Sequence, residues 1–241
     1  PREDDFDIQE VVLREPGDNE LLVKTRWLSL DPYMRGRLSD AKSYAEPVAI
    51  GEIITGETVG EVVKSNSPAY SPGEIVAGHF GWQSFTVARA DRGRFRRVDP
   101  DLGPISTALG VLGMTGNTAY FGLLRVGQPK PGETIVVSAA SGAVGSVVGQ
   151  IGKIKGCRVV GVAGGKAKCG YILDELGFDA AVDYKAGNLA EDLKAACPDG
   201  IDVYYENVGG AVLRAVVPLL NNGSRVPICG FVSQYNATGR V

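Results

Sequence analysis

Thr134-Ile135-Val136-Val137-Ser138-Ala139-Ala140-Ser141-Gly142-Ala143-Val144-Gly145 reads as an apolar strand, Thr134 to Ala139, running into a glycine-punctuated turn; an amphipathic helix follows over Val144 to Lys155. Ala140, Gly142 and Gly145 fall on the three small-residue positions of a dinucleotide-binding turn, with alanine in place of the first glycine. Small residues let the backbone approach a diphosphate and let the helix pack closely on its strand. The first-turn amides, those of Ala143 and Val144 among them, and the positive end of the helix dipole then face the anion.

The next strand, Cys157 to Ala163, ends about 20 residues beyond the glycines, where the adenosine ribose of a dinucleotide is read. A site for the unphosphorylated cofactor carries Asp or Glu there. This chain has Gly164-Gly165-Lys166-Ala167-Lys168 instead. A lysine stabilises a 2′-phosphate and a carboxylate repels it, so the cofactor expected is NADPH. The alternative for Lys166 and Lys168 is the solvated start of a helix.

The 241 residues are 44% hydrophobic and 22% charged, enough for a packed core and for two domains. The net charge of -3 and the scattered lysines provide no basic footprint, so nucleic acid is not an expected partner. No apolar run approaches the roughly 18 residues of a membrane span, and the acidic start is unlike a signal peptide, so no membrane partner and a cytoplasmic location are expected. Pro1 is not an initiator methionine and the chain stops soon after a strand-like segment, which reads as a fragment. Cys157, Cys169, Cys197 and Cys229 lie far apart and are expected to be reduced packing residues. The single His79 leaves no two-histidine metal site, and no metal is expected.

Up to about Pro100 the chain reads as short strands: Glu20 to Trp27, Ile53 to Lys64, Ile75 to Ala77 and Trp82 to Val87. Ile105 to Leu124 changes to helical spacing and reads as the crossing between domains. From Thr134 strands and helices alternate. Strands are expected at 134–139, 157–163, 180–184, 201–206 and 225–231, with helices at 144–155, 168–176, 189–196 and 212–220. That alternation specifies an α/β fold with a doubly wound parallel sheet, here most of a six-stranded one.

Five strings in order resemble one family. They are Leu28 to Arg37, Gly113 to Tyr120, Ala139 to Gly149, Glu206-Asn207-Val208-Gly209-Gly210 and Cys229 to Asn236. The chain resembles the zinc-independent medium-chain reductases, and among them the NADPH-dependent double-bond reductases that include prostaglandin, plant alkenal and bacterial curcumin reductases. The resemblance implies a GroES-like β-rich domain at 1–104 and a Rossmann domain, incomplete at its carboxyl end, at 105–241. Where a zinc-dependent relative has Gly-His-Glu, this chain has Gly56-Glu57-Thr58, so the substrate expected is one whose carbon is already electrophilic: an enal or enone.

The resemblance also implies roles. Tyr235 is the catalytic residue, beside the nicotinamide ribose, stabilising or protonating the enolate that hydride delivery leaves. Tyr33 lines the substrate pocket. Lys168 and Tyr184 flank the 2′-phosphate beside Gly164. Asn207 reaches the nicotinamide side, Cys229, Gly230, Ser233 and Tyr235 bind the cofactor, and Met114, Thr115 and Gly116 approach it from the crossing segment. The resemblance further implies a homodimer paired through an edge of the parallel sheet. Asn207 also reads as a helix cap, Met114 as core, Tyr33 as a loop brace and Tyr235 as a tyrosine packed at the end of a strand. Two other functions stay open: an NADPH-linked quinone reductase, and a nucleotide-binding protein without turnover.

Overall fold

A computed structural model describes residues 2–40, 43–92 and 95–237. The chain forms two compact units, Pro1–Leu109 and Gly110–Val241.

In the first unit five antiparallel strands lie in the order β4-β1-β2-β3-β5, with β1 Glu20–Leu28, β2 Thr58–Ser65, β3 Ile75–Gly78, β4 Phe85–Arg89 and β5 Phe95–Arg97. Alternation along β1 sends Leu21 and Val23 inward, where they meet Val62, Val76 and Phe80. Gly60 opposes Thr25 beside a register irregularity, and a Cβ there would lie 2.5 Å from the Lys24 carbonyl oxygen. The strand expected from Ile53 begins only at Thr58, because the Ile54 and Gly56 carbonyls instead accept from Trp82 and Gly81 in a loop pairing. That pairing also delays β4 to Phe85. The Asp31-Pro32-Tyr33 turn leads into one helical turn, α1 Met34–Arg37. Ala108, in the 3-10 segment Ile105–Leu109, packs on Val59 and Ala77 of this unit.

The second unit has a parallel sheet in the order β10-β9-β6-β7-β8: β6 Thr134–Ser138, β7 Arg158–Ala163, β8 Ala180–Asp183, β9 Ile201–Tyr205 and β10 Leu220–Arg225. The helices are α2 Met114–Phe121, α3 Ala143–Ile154, α4 Lys166–Asp174, α5 Leu189–Ala196 and α6 Gly210–Val216. With the antiparallel GroES-like sheet of the first unit, this Rossmann sheet makes the chain α/β. All five residues of β6 are buried, as a strand covered on both faces must be. Ile135 and Val137 enter one core with Val148, Phe178 and Val203; Val136 enters the opposite one with Leu193, Ile201 and Tyr204. Helix α3 lies on the sheet through Gly145, Val148, Gly149 and Gly152, one face at helical spacing.

Two expected elements are corrected. The helix expected to run to Leu220 ends at Val216 and tightens into a 3-10 turn, because Pro218 has no N–H for the helical ladder. The strand expected at 225–231 is instead β10 at Leu220–Arg225. Beyond it, among the described residues, only Ile228 bridges to Glu206, since Pro227 cannot donate to a ladder.

Candidate active site

The order of strands sets the place. Strand β6 passes through α3 to β7 on one side, whereas β9 lies on its other side, so the connections diverge between β6 and β9. In such sheets a ligand binds outside the carboxyl ends of the strands at that point. Ser138 ends β6, Tyr205 ends β9, and Glu206 and Asn207 follow directly.

The turn after β6 is built for close approach. Ala139 takes a left-handed φ of 49°, Ala140 is fully buried with its amide on the Val162 carbonyl at 3.0 Å, and the Gly142 amide returns to the Ala139 carbonyl at 2.9 Å. A Cβ on Gly145 would sit 2.4 Å from the Ala139 carbonyl oxygen, and one on Gly142 3.1 Å from it. No larger residue fits at Gly145 without moving this backbone. Gly142 and Ala143 are exposed, Gly142 caps α3 with no side-chain acceptor, and the first turn carries no acid. The first amides of α3 therefore face solvent without helical partners, which fits a diphosphate.

After β7, Gly164 lies against the Tyr184 ring, whose carbon a Cβ would meet at 2.7 Å. The Asp183 carboxylate accepts from the amides of Gly165 at 2.8 Å and Lys185 at 2.9 Å, and those two bonds hold its pKa below the ordinary value. Helix α4 begins two residues earlier than expected, so Lys168 is its third residue, exposed, in a first turn without an acid. Two lysines there oppose the helix dipole, an arrangement that a bound phosphate would relieve. These residues fit a phosphorylated ribose.

Beyond β9 the Asn207 side chain donates to the Ser138 carbonyl at 2.7 Å, and its amide to the Ser138 hydroxyl at 2.8 Å. The Cys229 and Gly230 amides donate to the Glu206 carbonyl at 2.8 and 3.2 Å, which brings the 227–230 segment alongside. The Ser233 hydroxyl donates to the Val208 carbonyl at 2.5 Å. A Cβ on Gly230 would lie 2.7 Å from the Tyr235 hydroxyl oxygen and 4.0 Å from the Asn207 carbonyl oxygen. Tyr235 is 39% exposed, and its hydroxyl lies over Gly230 at the edge of this cluster.

The structure thus brings together Asn207, Cys229, Gly230, Ser233 and Tyr235. Gly164, Lys168 and Tyr184 form a second group past β7 and β8. In α2 the Thr115 hydroxyl donates to the Gly110 carbonyl at 3.0 Å, and a Cβ on Gly116 would lie 1.9 Å from the Val111 carbonyl oxygen. Those two residues are shaped by their own turn, while Met114 is 36% exposed. In the first unit the Tyr33 hydroxyl is buried and unpartnered. Burial raises its pKa, Asp31, Glu57 and Tyr44 add to the rise, and Arg37 opposes it. Tyr33 is thereby kept as a neutral donor.

Sequence reasoning assigned no role to Ser138 or Glu206. The available signal was an acid directly after an apolar strand. Among the described residues no group of three or more His, Cys, Asp or Glu is placed to hold a metal ion, and no helix is long and apolar enough to cross a membrane.

A family profile described as N-terminal domain of oxidoreductase matches residues 1–95, and one described as zinc-binding dehydrogenase matches residues 143–238, a stretch without histidine. The NADPH-dependent curcumin reductase of Escherichia coli (strain K12) is 54% identical over 238 residues, covering 99% of this chain and 68% of that protein. The 2-alkenal reductase (NADP(+)-dependent) of Nicotiana tabacum is 44% identical over 241 residues, covering 98% and 70%. The crystal structure of CurA in complex with NADPH from Vibrio vulnificus superposes with a TM-score of 0.95 at 51% identity, covering 100% of this chain and 71% of that one. The chain belongs to the zinc-independent medium-chain reductases, in the branch of NADPH-dependent double-bond reductases.

Proposed function

We propose that this protein is an NADPH-dependent reductase of the activated C=C bond of α,β-unsaturated aldehydes and ketones. The observation that carries the reading is the Tyr235 hydroxyl lying over Gly230 beside Asn207, at the carboxyl ends of the strands where the sheet's connections diverge. Gly142, Gly145 and the amides of Ala143 and Val144 would hold the diphosphate; Gly164, Lys168 and Tyr184 the phosphorylated ribose; Asn207, Cys229, Gly230 and Ser233 the nicotinamide end.

Bound NADPH supplies a hydride. The chain's own part is to orient the acceptor and to stabilise the charge that reaches its carbonyl oxygen. On this reading Tyr235 would donate its hydroxyl proton toward that oxygen, and Tyr33 would take the substrate-binding role that the resemblance implies. Met114 would line the cofactor side of α2, with Thr115 and Gly116 holding its turn. The same reading, resting on the resemblance, places the enzyme in the cytoplasm as a homodimer; sedimentation checks the pairing.

The test follows NADPH and NADH oxidation with an enal, an enone and a quinone. Turnover of the enal and enone with NADPH is expected. Turnover of the quinone alone, or NADPH binding without any turnover, would overturn the reading. Tyr235→Phe should lower kcat on the enal by about 100-fold or more while the Kd for NADPH stays unchanged.

A further inference from the structure

At the end of β9 the Glu206 side chain is fully buried, and the roles proposed above do not use it. Its Oε1 accepts three hydrogen bonds: from the Ser138 hydroxyl at 2.9 Å, the Val208 amide at 2.6 Å and the Gly209 amide at 2.9 Å. Its main chain binds the neighbouring segment, donating to the Pro227 carbonyl at 2.9 Å and accepting from Cys229 and Gly230. One residue therefore joins the end of β6, the loop over 207–209 and the segment carrying Gly230.

Buried donors left without an acceptor are costly, so this oxygen fixes where the loop runs. The other carboxyl oxygen, Oε2, is buried without a hydrogen bond of good geometry, as is the Tyr204 hydroxyl, which lies within electrostatic reach of Glu206 and Ser138. The Tyr204 hydroxyl, which interacts with the Glu206 side chain, can turn to accept from an amide nitrogen at the Oε2 position. What this place requires is an acceptor.

The sheet also says which half of a dinucleotide this loop serves. Gly164, Lys168 and Tyr184 follow β7 and β8, on one side of β6, and on the reading proposed above they take the adenosine half. Asn207, Gly230 and Tyr235 follow β9 on the other side. The two halves of such a ligand lie on opposite sides of the point of divergence.

We infer that Glu206 is a positioning residue for the nicotinamide half of the cofactor, acting as a three-donor acceptor that sets the Asn207–Gly209 loop and the Gly230 segment against Ser138. The inference rests on the NADPH reading.

The test compares Glu206→Ala and Glu206→Gln by calorimetric titration with NADPH and with adenosine 2′,5′-bisphosphate, which carries the adenosine half alone. Glu206→Ala should weaken NADPH by about ten- to a hundredfold, the scale of leaving buried donors without their acceptor, and leave the bisphosphate within about twofold. Glu206→Gln, which keeps the acceptor, should restore NADPH to within about threefold of wild type. The inference is overturned if Glu206→Ala binds both ligands normally, if it loses both together, or if Glu206→Gln fails to restore NADPH. A wild-type protein that binds neither ligand would instead remove the NADPH reading.

Discussion

Gly145 and Lys168 carry opposite parts of the cofactor argument, one by absence of a side chain and the other by its charge. At Gly145 a methyl group would meet the Ala139 carbonyl oxygen at 2.4 Å and the Ala140 Cα at 2.9 Å, both backbone atoms that cannot swing aside. Gly145→Ala should cost about 1–3 kcal/mol of stability, the ordinary cost of overpacking, and should weaken NADPH because the turn must shift. Thermal unfolding and fluorescence titration of NADPH measure the two effects. Lys168 has no such constraint: it is exposed, in the first turn of α4, with no acid in that turn. Lys168→Ala should raise the Michaelis constant for NADPH by the loss of a charge-assisted contact, about 1.5–3 kcal/mol, and leave that for NADH nearly unchanged. Equal changes for both nucleotides would remove Lys168 from the phosphate site. Both residues were legible in the sequence because a glycine in a turn and a lysine in place of an acid each carry chemistry by type. Ser138 and Glu206 were not, because they bond to each other across 68 positions and otherwise to main-chain groups, of Tyr205 and Asn207 for Ser138 and of Val208 and Gly209 for Glu206, and main-chain groups have no sequence signature.

Strands β6, β7 and β9 could be located from sequence for a common reason: each is a short run rich in β-branched or aromatic residues, bounded by glycine or a polar turn, in the middle of the sheet. Strand β10 reversed that logic. Leu220-Asn221-Asn222-Gly223-Ser224-Arg225 is polar, as an edge strand can be, while Val226 to Phe231 looks apolar and continuous. Hydrogen bonding decides otherwise. Arg225 is held by the Gly127 carbonyl at 2.8 Å, the Gln128 carbonyl at 3.0 Å and the Glu133 carboxylate, fixing the strand end there. Pro227 then interrupts the ladder, and the chain turns to pass Glu206. The misplaced strand mattered for the site, because a continuous strand would hold Cys229 and Gly230 in a ladder; the interrupted segment lets both amides converge on the Glu206 carbonyl. In the first unit the same kind of error moved two strand starts, where loop pairing between Ile54, Gly56, Gly81 and Trp82 overrode an alternating pattern.

Across both units, carboxylates held below their ordinary pKa set the response to acid. Arg14 and the Gly17 amide bring Glu20 of the first unit down to about 2. In the second unit burial acts upward on Asp179 and Glu133, but Lys153 with the Val159 amide, and Arg225 with the Lys130 amide, outweigh it and leave both lowered. A group whose folded pKa lies below its unfolded value, about 4 for these residues, binds fewer protons folded than unfolded in the interval between the two. Its contribution is complete above about pH 4 to 5 and is lost as the pH falls toward 2. At the alkaline end burial raises the Cys197 thiol to about 11 and also raises Tyr204 and Tyr205, so the folded chain retains protons that the unfolded chain releases. Stability there should decline once the pH passes about 8.5, the ordinary thiol value. Calorimetry from pH 2 to 10 should therefore record a plateau of Tm near neutrality with a decline on each side. Glu20→Gln with Asp179→Asn should lower the plateau and flatten the acid limb, because the unfolded state then gains fewer protons there. An acid limb with the same slope in the double variant would show that other carboxylates govern it.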